Sequence, residues 1–125
     1  MNTPELIVDL SPSEVFVFGS NVNGYHGGGA AAAAMRHFGA QWGVGEGMQG
    51  QCYAIPTMEG LPALTAAVER FLVYAAQHPE LTFLVTKIGT GIAGHSTGDV
   101  APTLANRTPN VIIPAEFEQH LAGAE

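Results

Sequence analysis

Two glycine-rich stretches hold most of the residues whose types and spacing suit chemistry. The first, residues 19–29 (GSNVNGYHGGG), carries Ser20, Asn21, Asn23 and His26 ahead of Gly27, Gly28 and Gly29. The second, residues 87–99 (KIGTGIAGHSTGD), carries Gly89, Thr90, Gly91, Ile92, Ala93 and Gly94, and then His95. Glycine lets a ligand approach the main chain closely, and successive main-chain N–H groups in such loops form anion-binding nests. One loop of this kind is a weak signal. Two of them suit the two sides of a pyrophosphate, with Ile92 and Ala93 as apolar cover. The amides of Asn21 and Asn23 can donate to and accept from ribose hydroxyls without adding charge, and Asn21 is the stronger candidate. His26 and His95 are candidate acids, bases or donors beside a phosphate, expected to face each other across a cleft. Each residue also has a plain alternative: Asn is a common turn former, loop histidines are commonplace, and a tight turn also uses glycine.

These side chains need a scaffold, and the flanking patterns supply one. Val15–Phe18 is a continuous apolar run, as expected of a strand covered on both faces in a parallel sheet. Residues 28–38 predict a helix whose alanine block allows close packing, with Gly39 in the stop position and His37 complementing the dipole. Its free N-terminal N–H groups open onto the first glycine loop, the arrangement that binds phosphates at helix N-termini. Residues 39–51 read as a surface loop anchored by Trp42 and Met48. Residues 52–55 predict a strand that Pro56 closes, with Cys52 and Tyr53 as structural residues. Residues 61–78 predict the clearest helix, from Leu64, Val68, Phe71 and Ala75 at helical spacing. A strand follows at 81–86, a short helix near 99–105 with Asp99 at its start, a strand at 111–113 and a helix at 115–121. Residues 5–10 (ELIVDL) are a candidate edge strand. This alternation implies an α/β domain with a mostly parallel sheet, whose unusual loops all follow strands and open on one rim.

Composition narrows the function. The 125 residues predict one domain spanning 1–125, with 46% hydrophobic and 12% charged residues. Four basic against 11 acidic residues give a formal net charge of −7, so the Lys/Arg patch that a nucleic-acid surface requires is missing. A phosphate bound here would be held by main-chain donors, and the acidic charge is expected to be withheld from the cleft. No apolar run approaches the roughly 18 residues of a membrane span, and no signal peptide is read at the N-terminus. A single cysteine suits a reducing cytoplasm. Metal-ligand spacing is absent, as is GKS/GKT, which disfavours a P-loop kinase or ATPase; no GxGxxG follows the first strand. Neither a metal nor a cofactor is expected.

The stretch VFVFGSN…GGGAAAAAM, with IGTGIAG at 88–94 and YAIPT at 53–57, resembles the ADP-ribose-binding macro domains. In detail FGSN, QGQxYAIPT, TxIGxGxAG and NVxxP resemble a small macro-like family of bacterial and phage proteins. The resemblance covers roughly residues 15–117 and implies a three-layer α/β/α fold with a mostly parallel central sheet. It implies a ribose contact at Asn21, a first phosphate loop at Gly27–Gly29 and a second across Gly89–Gly94. Two features depart from the pattern: VFVF fills the place of the acidic residue that reads adenine, and Ala93 replaces a bulky aromatic, leaving room for Tyr25 or His95. The functions implied are binding of ADP-ribose or a related nucleotide diphosphate, with or without hydrolysis of an ADP-ribosyl or ADP-ribose-phosphate derivative by Asn21 and His26. A non-catalytic nucleotide sensor or sponge, and a protein-interaction module with a degenerate site, are the alternatives.

Overall fold

The structure, a computed structural model, describes residues 2–4, 7 and 9–123. Its centre is β1 (Glu14–Ser20), which pairs in parallel with β3 (Cys52–Pro56) on one side and β4 (Thr82–Val85) on the other. β5 (Val111–Ile112) extends the sheet in parallel beyond β4, and the short β2 (Gly47–Gln49) adds to β3 antiparallel. The order is β2-β3-β1-β4-β5. The chain therefore crosses over β1 between β3 and β4, and α2 (Leu61–Ala76) makes that crossing.

The apolar run of β1 is continuous because both its faces are covered. Val15 and Val17 point to one core, with Leu64, Val68 and Phe71 of α2, Val100, Leu104 and Phe117. Phe16 and Phe18 point to a second core with Ala31 and Ala34 of α1 (Gly29–His37), Phe38, Cys52 and Ala54. Alternate residues of a strand serve opposite faces, so one four-residue run fills both. The alanines of α1 let its axis approach the two phenylalanine rings closely, and Phe16 packs at a tilt against Phe38 with centroids 4.9 Å apart. α3 (Thr97–Val100) runs into a 3-10 turn at Ala101–Leu104, where Pro102 cannot continue α-helical bonding, and α4 (Ala115–Gly123) docks through Phe117. The described residues thus form a mixed α/β fold with a five-stranded, mostly parallel sheet and four helices.

Three expectations change. Residues 39–51 are not all loop: Gly47, Met48 and Gln49 pair with Ala54, Tyr53 and Cys52, a strand of three residues that starts at Gly47 and stops before Gly50. Met48 packs on the larger core, whereas Trp42 is 57% exposed, belongs to neither core and stacks instead on Tyr25. Of residues 5–10, Ile7, Asp9 and Leu10 lie in no strand, whereas Glu5, Leu6 and Val8 fall outside the described residues. That end of the chain is instead tied beside β5 by Thr3, whose N–H donates to the Ile113 carbonyl at 2.9 Å. α3 is capped by Ser96, whose Oγ accepts from the Asp99 N–H at 3.1 Å; Asp99 itself sits in the first turn. Among the described residues no helix is long and apolar enough to cross a membrane.

Candidate functional site: a cleft between two glycine loops

The carboxyl ends of β1, β3 and β4 open into a cleft of about 980 Å³. Gly19 and Ser20 line it at the end of β1 with Asn21 and Tyr25 just beyond, Thr57 and Met58 after β3, and Thr86, Lys87, Ile88, Gly89, Gly91, Ile92 and Ala93 after β4. The start of α1 contributes Gly27, Gly28, Gly29, Ala30 and Ala31, and the start of α4 contributes Pro114, Ala115 and Glu116. The three strand-end loops thus converge on one rim, as parallel topology requires.

Each strand end is held by the residue just past it. The Ser20 carbonyl accepts from Thr57 N–H at 2.9 Å and Thr57 Oγ1 at 3.3 Å. The Val17 carbonyl accepts from Thr86 N–H at 3.0 Å and Thr86 Oγ1 at 2.8 Å. Ser20 is itself buried. Thr57 and Thr86 were not singled out from the sequence; the signal for them is a threonine directly after an apolar strand.

The two loops present unused donors. α1 has Gly28 at its N-cap, with no side-chain cap and no acidic residue in its first turn, so the N–H groups of Gly29, Ala30 and Ala31 have no acceptor among the described residues. In the second loop, Gly94 N–H bonds to Gly91 O at 3.0 Å and His95 N–H to Gly89 O at 2.9 Å, which folds the loop into a turn. The N–H groups of Gly91, Ile92 and Ala93, at the tip of that turn, have no acceptor among the described residues. Ile92 is 96% exposed there. Only two charged side chains line the cleft among the described residues, Lys87 and Glu116, and they pair at 2.8 Å. The hydrogen bond from Lys87 holds the Glu116 carboxyl below the usual carboxylate range.

The glycines in these loops fall into two kinds. Gly24 and Gly45 stand where another backbone passes: a Cβ would lie 2.3 Å from Val44 N or 2.1 Å from Asn21 O. At Gly27, Gly28 and Gly91 a Cβ would meet nothing within 4 Å, and none of the three has a positive φ. Gly28 is extended, with φ −155. Neither backbone strain nor packing of the fold calls for glycine at these cleft-lining positions.

Of the expected site residues, the structure brings Ser20, Asn21, Gly27, Gly28, Gly29, Gly89, Gly91, Ile92 and Ala93 together. Asn23, His26, Thr90, Gly94 and His95 do not line the cleft. Thr90 turns back on its own loop, its Oγ1 donating to Lys87 O at 2.9 Å. His95 approaches Gly89 from the side of Leu64 and Val100. His26 is 3% exposed, edge-on to Phe18, with Nε2 3.1 Å from the Val44 carbonyl and Nδ1 buried without a partner. The two histidines therefore do not face each other across the cleft. Asn21 is at the cleft but closes its own loop, with Nδ2 donating to Tyr25 O at 3.1 Å and Oδ1 accepting from Tyr25 N–H at 3.0 Å.

Cys52 is fully buried, its thiol donating to Gln49 O at 3.0 Å, and burial pushes it up to about 12, which leaves it inert as a nucleophile at neutral pH. No group of three or more His, Cys, Asp or Glu side chains is placed to hold a metal ion among the described residues. No family model matches the chain, and no curated protein matches it. The cleft itself must therefore carry the functional assignment.

Proposed function

We propose that the cleft binds a nucleotide diphosphate of the ADP-ribose class, with its pyrophosphate between the start of α1 and the loop at residues 89–94. The fold would then be the three-layer α/β/α arrangement of the macro domains, here with α1 on one face of the sheet. One observation carries the reading: Gly27, Gly28 and Gly91 line the cleft, yet neither φ nor packing requires glycine there. Glycine at such positions keeps main-chain donors within reach of a ligand. Free N–H groups on both loops and the unopposed dipole of α1 supply attraction that four basic residues in the whole chain do not. The cleft volume of about 980 Å³ lies at the upper end of the range for small-molecule sites, which suits a ligand larger than a mononucleotide.

The non-catalytic version, a binder that senses or sequesters the nucleotide, fits this geometry better than the hydrolase. The two residues nominated for chemistry serve structure: His26 is buried away from the cleft, and the amide of Asn21 is committed to Tyr25. Calorimetry with ADP-ribose, ADP, AMP, NAD and inorganic pyrophosphate tests the assignment. Binding of the diphosphates is expected, weakened at least tenfold by Gly28→Val and by Gly91→Val while the melting temperature shifts little. Unchanged affinity in both variants, or no heat from any ligand at millimolar concentration, would overturn it. Turnover of an ADP-ribosyl ester that Asn21→Ala abolishes would restore the hydrolase.

A further inference from the structure

Tyr25 and Trp42 stack on each other with ring centroids 5.4 Å apart and planes 18° apart, although Tyr25 is 59% and Trp42 57% exposed. Neither ring belongs to either core, so burial in the fold does not account for the pair. Tyr25 is part of the cleft wall and Trp42 is not, which makes Trp42 the outer layer of a two-ring platform at the cleft's edge.

The backbone holds both rings in place. Asn21 bonds the N–H and the carbonyl of Tyr25 with one side chain, at 3.0 and 3.1 Å. Beside Trp42, the Gly43 N–H donates to the Gly24 carbonyl at 2.9 Å, directly joining the two ring-bearing loops. The Val44 carbonyl next along accepts from His26 at 3.1 Å and from Gln49 Nε2 at 3.3 Å. An exposed ring fixed in advance loses little entropy when a second flat ring lands on it. The platform also lies two residues ahead of Gly27, the first glycine of the proposed phosphate loop, and no charged residue of the cleft wall comes from its loops.

We infer that Tyr25, backed by Trp42, stacks a planar heteroaromatic ring of the ligand. This rests on the phosphate-loop reading and deepens it: the ligand is a nucleotide whose ring lies at the residue 21–26 edge of the cleft while its phosphates face the glycines. It also gives Asn21 a positioning task, holding Tyr25, in place of a chemical one.

Trp42 is the chain's single tryptophan, so its emission reports on the platform without labelling. The full chain is titrated with ADP-ribose, ADP and AMP, and in parallel with inorganic pyrophosphate and ribose 5-phosphate, which carry no aromatic ring. The base-bearing ligands are expected to change Trp42 emission and the two without a base to leave it unaltered. Tyr25→Ala should weaken ADP about tenfold or more while changing pyrophosphate less than twofold, and Tyr25→Phe should retain ADP affinity. ADP affinity within twofold of the parent in Tyr25→Ala would overturn the stacking inference. So would an equal loss for ADP and pyrophosphate, which would mark a general disturbance of the loop. A changed sedimentation coefficient of unliganded Tyr25→Ala, with nucleotide affinity intact, would overturn it in favour of self-association. Failure of pyrophosphate and every nucleotide to bind the parent chain removes the phosphate-loop reading and this inference together, whereas pyrophosphate binding without a preference for ADP removes this inference alone.

Discussion

His26 donates its Nε2 proton to the carbonyl of Val44 at 3.1 Å, a residue 18 positions later, and so ties the loop after β1 to the loop before β2. The carbonyl can only accept, which places a ring proton on Nε2, while Nδ1 is buried without a partner among the described residues. Gly43 N–H to Gly24 O, at 2.9 Å, runs parallel to that bond, and Gln49 meets the same Val44 carbonyl from β2. The cleft-lining loop after β1 is therefore held to the loop before β2 by one side-chain and one main-chain bond.

His26→Ala removes a buried ring beside Phe18 and one of the two partners of the Val44 carbonyl. Lost packing and a weakened hydrogen bond together are expected to lower unfolding free energy by about 2–4 kcal/mol. Urea denaturation reads this directly. A loss below about 0.5 kcal/mol would show that the two loops are held together by their main-chain bonds alone.

Gly45→Ala and Gly43→Ala separate two reasons for glycine in one loop. At Gly45 a Cβ would sit 2.1 Å from the Asn21 carbonyl, so the loops must move apart, at a cost of about 1–3 kcal/mol. Gly43 has φ +90 and open space, so its substitution costs conformational strain of about 1–2 kcal/mol without displacing Asn21. Nucleotide affinity should consequently fall in Gly45→Ala and hold in Gly43→Ala. Equal effects on affinity would mean that the spacing between the loops does not govern the cleft.

That distinction also marks where the sequence stopped being legible. β1, α1, α2 and β4 were visible because continuous apolar runs and helical spacing are local signals, and β1 meets two cores through alternate residues. The convergence of the strand-end loops followed from the βα alternation alone. The glycines, by contrast, look alike in sequence: nothing local separates Gly24 and Gly45, which admit a neighbouring backbone, from Gly27, Gly28 and Gly91, which leave space open. His26 read as a loop histidine because its partner is Val44 and its ring neighbour Phe18, neither within local reach of a pattern. β2 was hidden for the same reason, since a three-residue strand that starts with a glycine exists only through β3.

Alkaline pH should destabilise the fold through the neighbouring residues Cys52 and Tyr53. Burial pushes the Cys52 thiol from 9.0 up to about 12. Burial first, and the nearby Glu46 charge second, push the Tyr53 phenol from 10.0 up to about 12. Both folded-state values are raised, so the stabilisation is whole below about pH 9 and is lost as the pH climbs toward 12, where the unfolded chain releases these protons more readily. Melting temperature is expected to fall steadily from pH 9 to 11, with a shallower slope in Cys52→Ala. The native thiol should also react with a disulfide reagent at pH 8 only as fast as the chain opens. Immediate labelling of the folded protein would contradict the burial of Cys52.

Glu116 is the one carboxylate on the cleft wall among the described residues, paired with Lys87 at 2.8 Å and half exposed. A diphosphate entering the cleft meets that negative charge at close range. Glu116→Gln keeps an acceptor for Lys87 and removes the charge, so pyrophosphate and ADP affinities should rise about threefold at low ionic strength and converge on the parent near 0.5 M salt, roughly where screening is complete. Because Lys87 holds the carboxyl below the usual range, the ionised pair persists at neutral pH; its contribution is lost only as the pH falls through that lowered value. Parent and variant should therefore remain apart across neutral pH and approach each other only in more acidic solution. Weaker diphosphate binding by Glu116→Gln would reverse the assignment, making the carboxylate a group that orients the ligand through Lys87 instead of one that repels it.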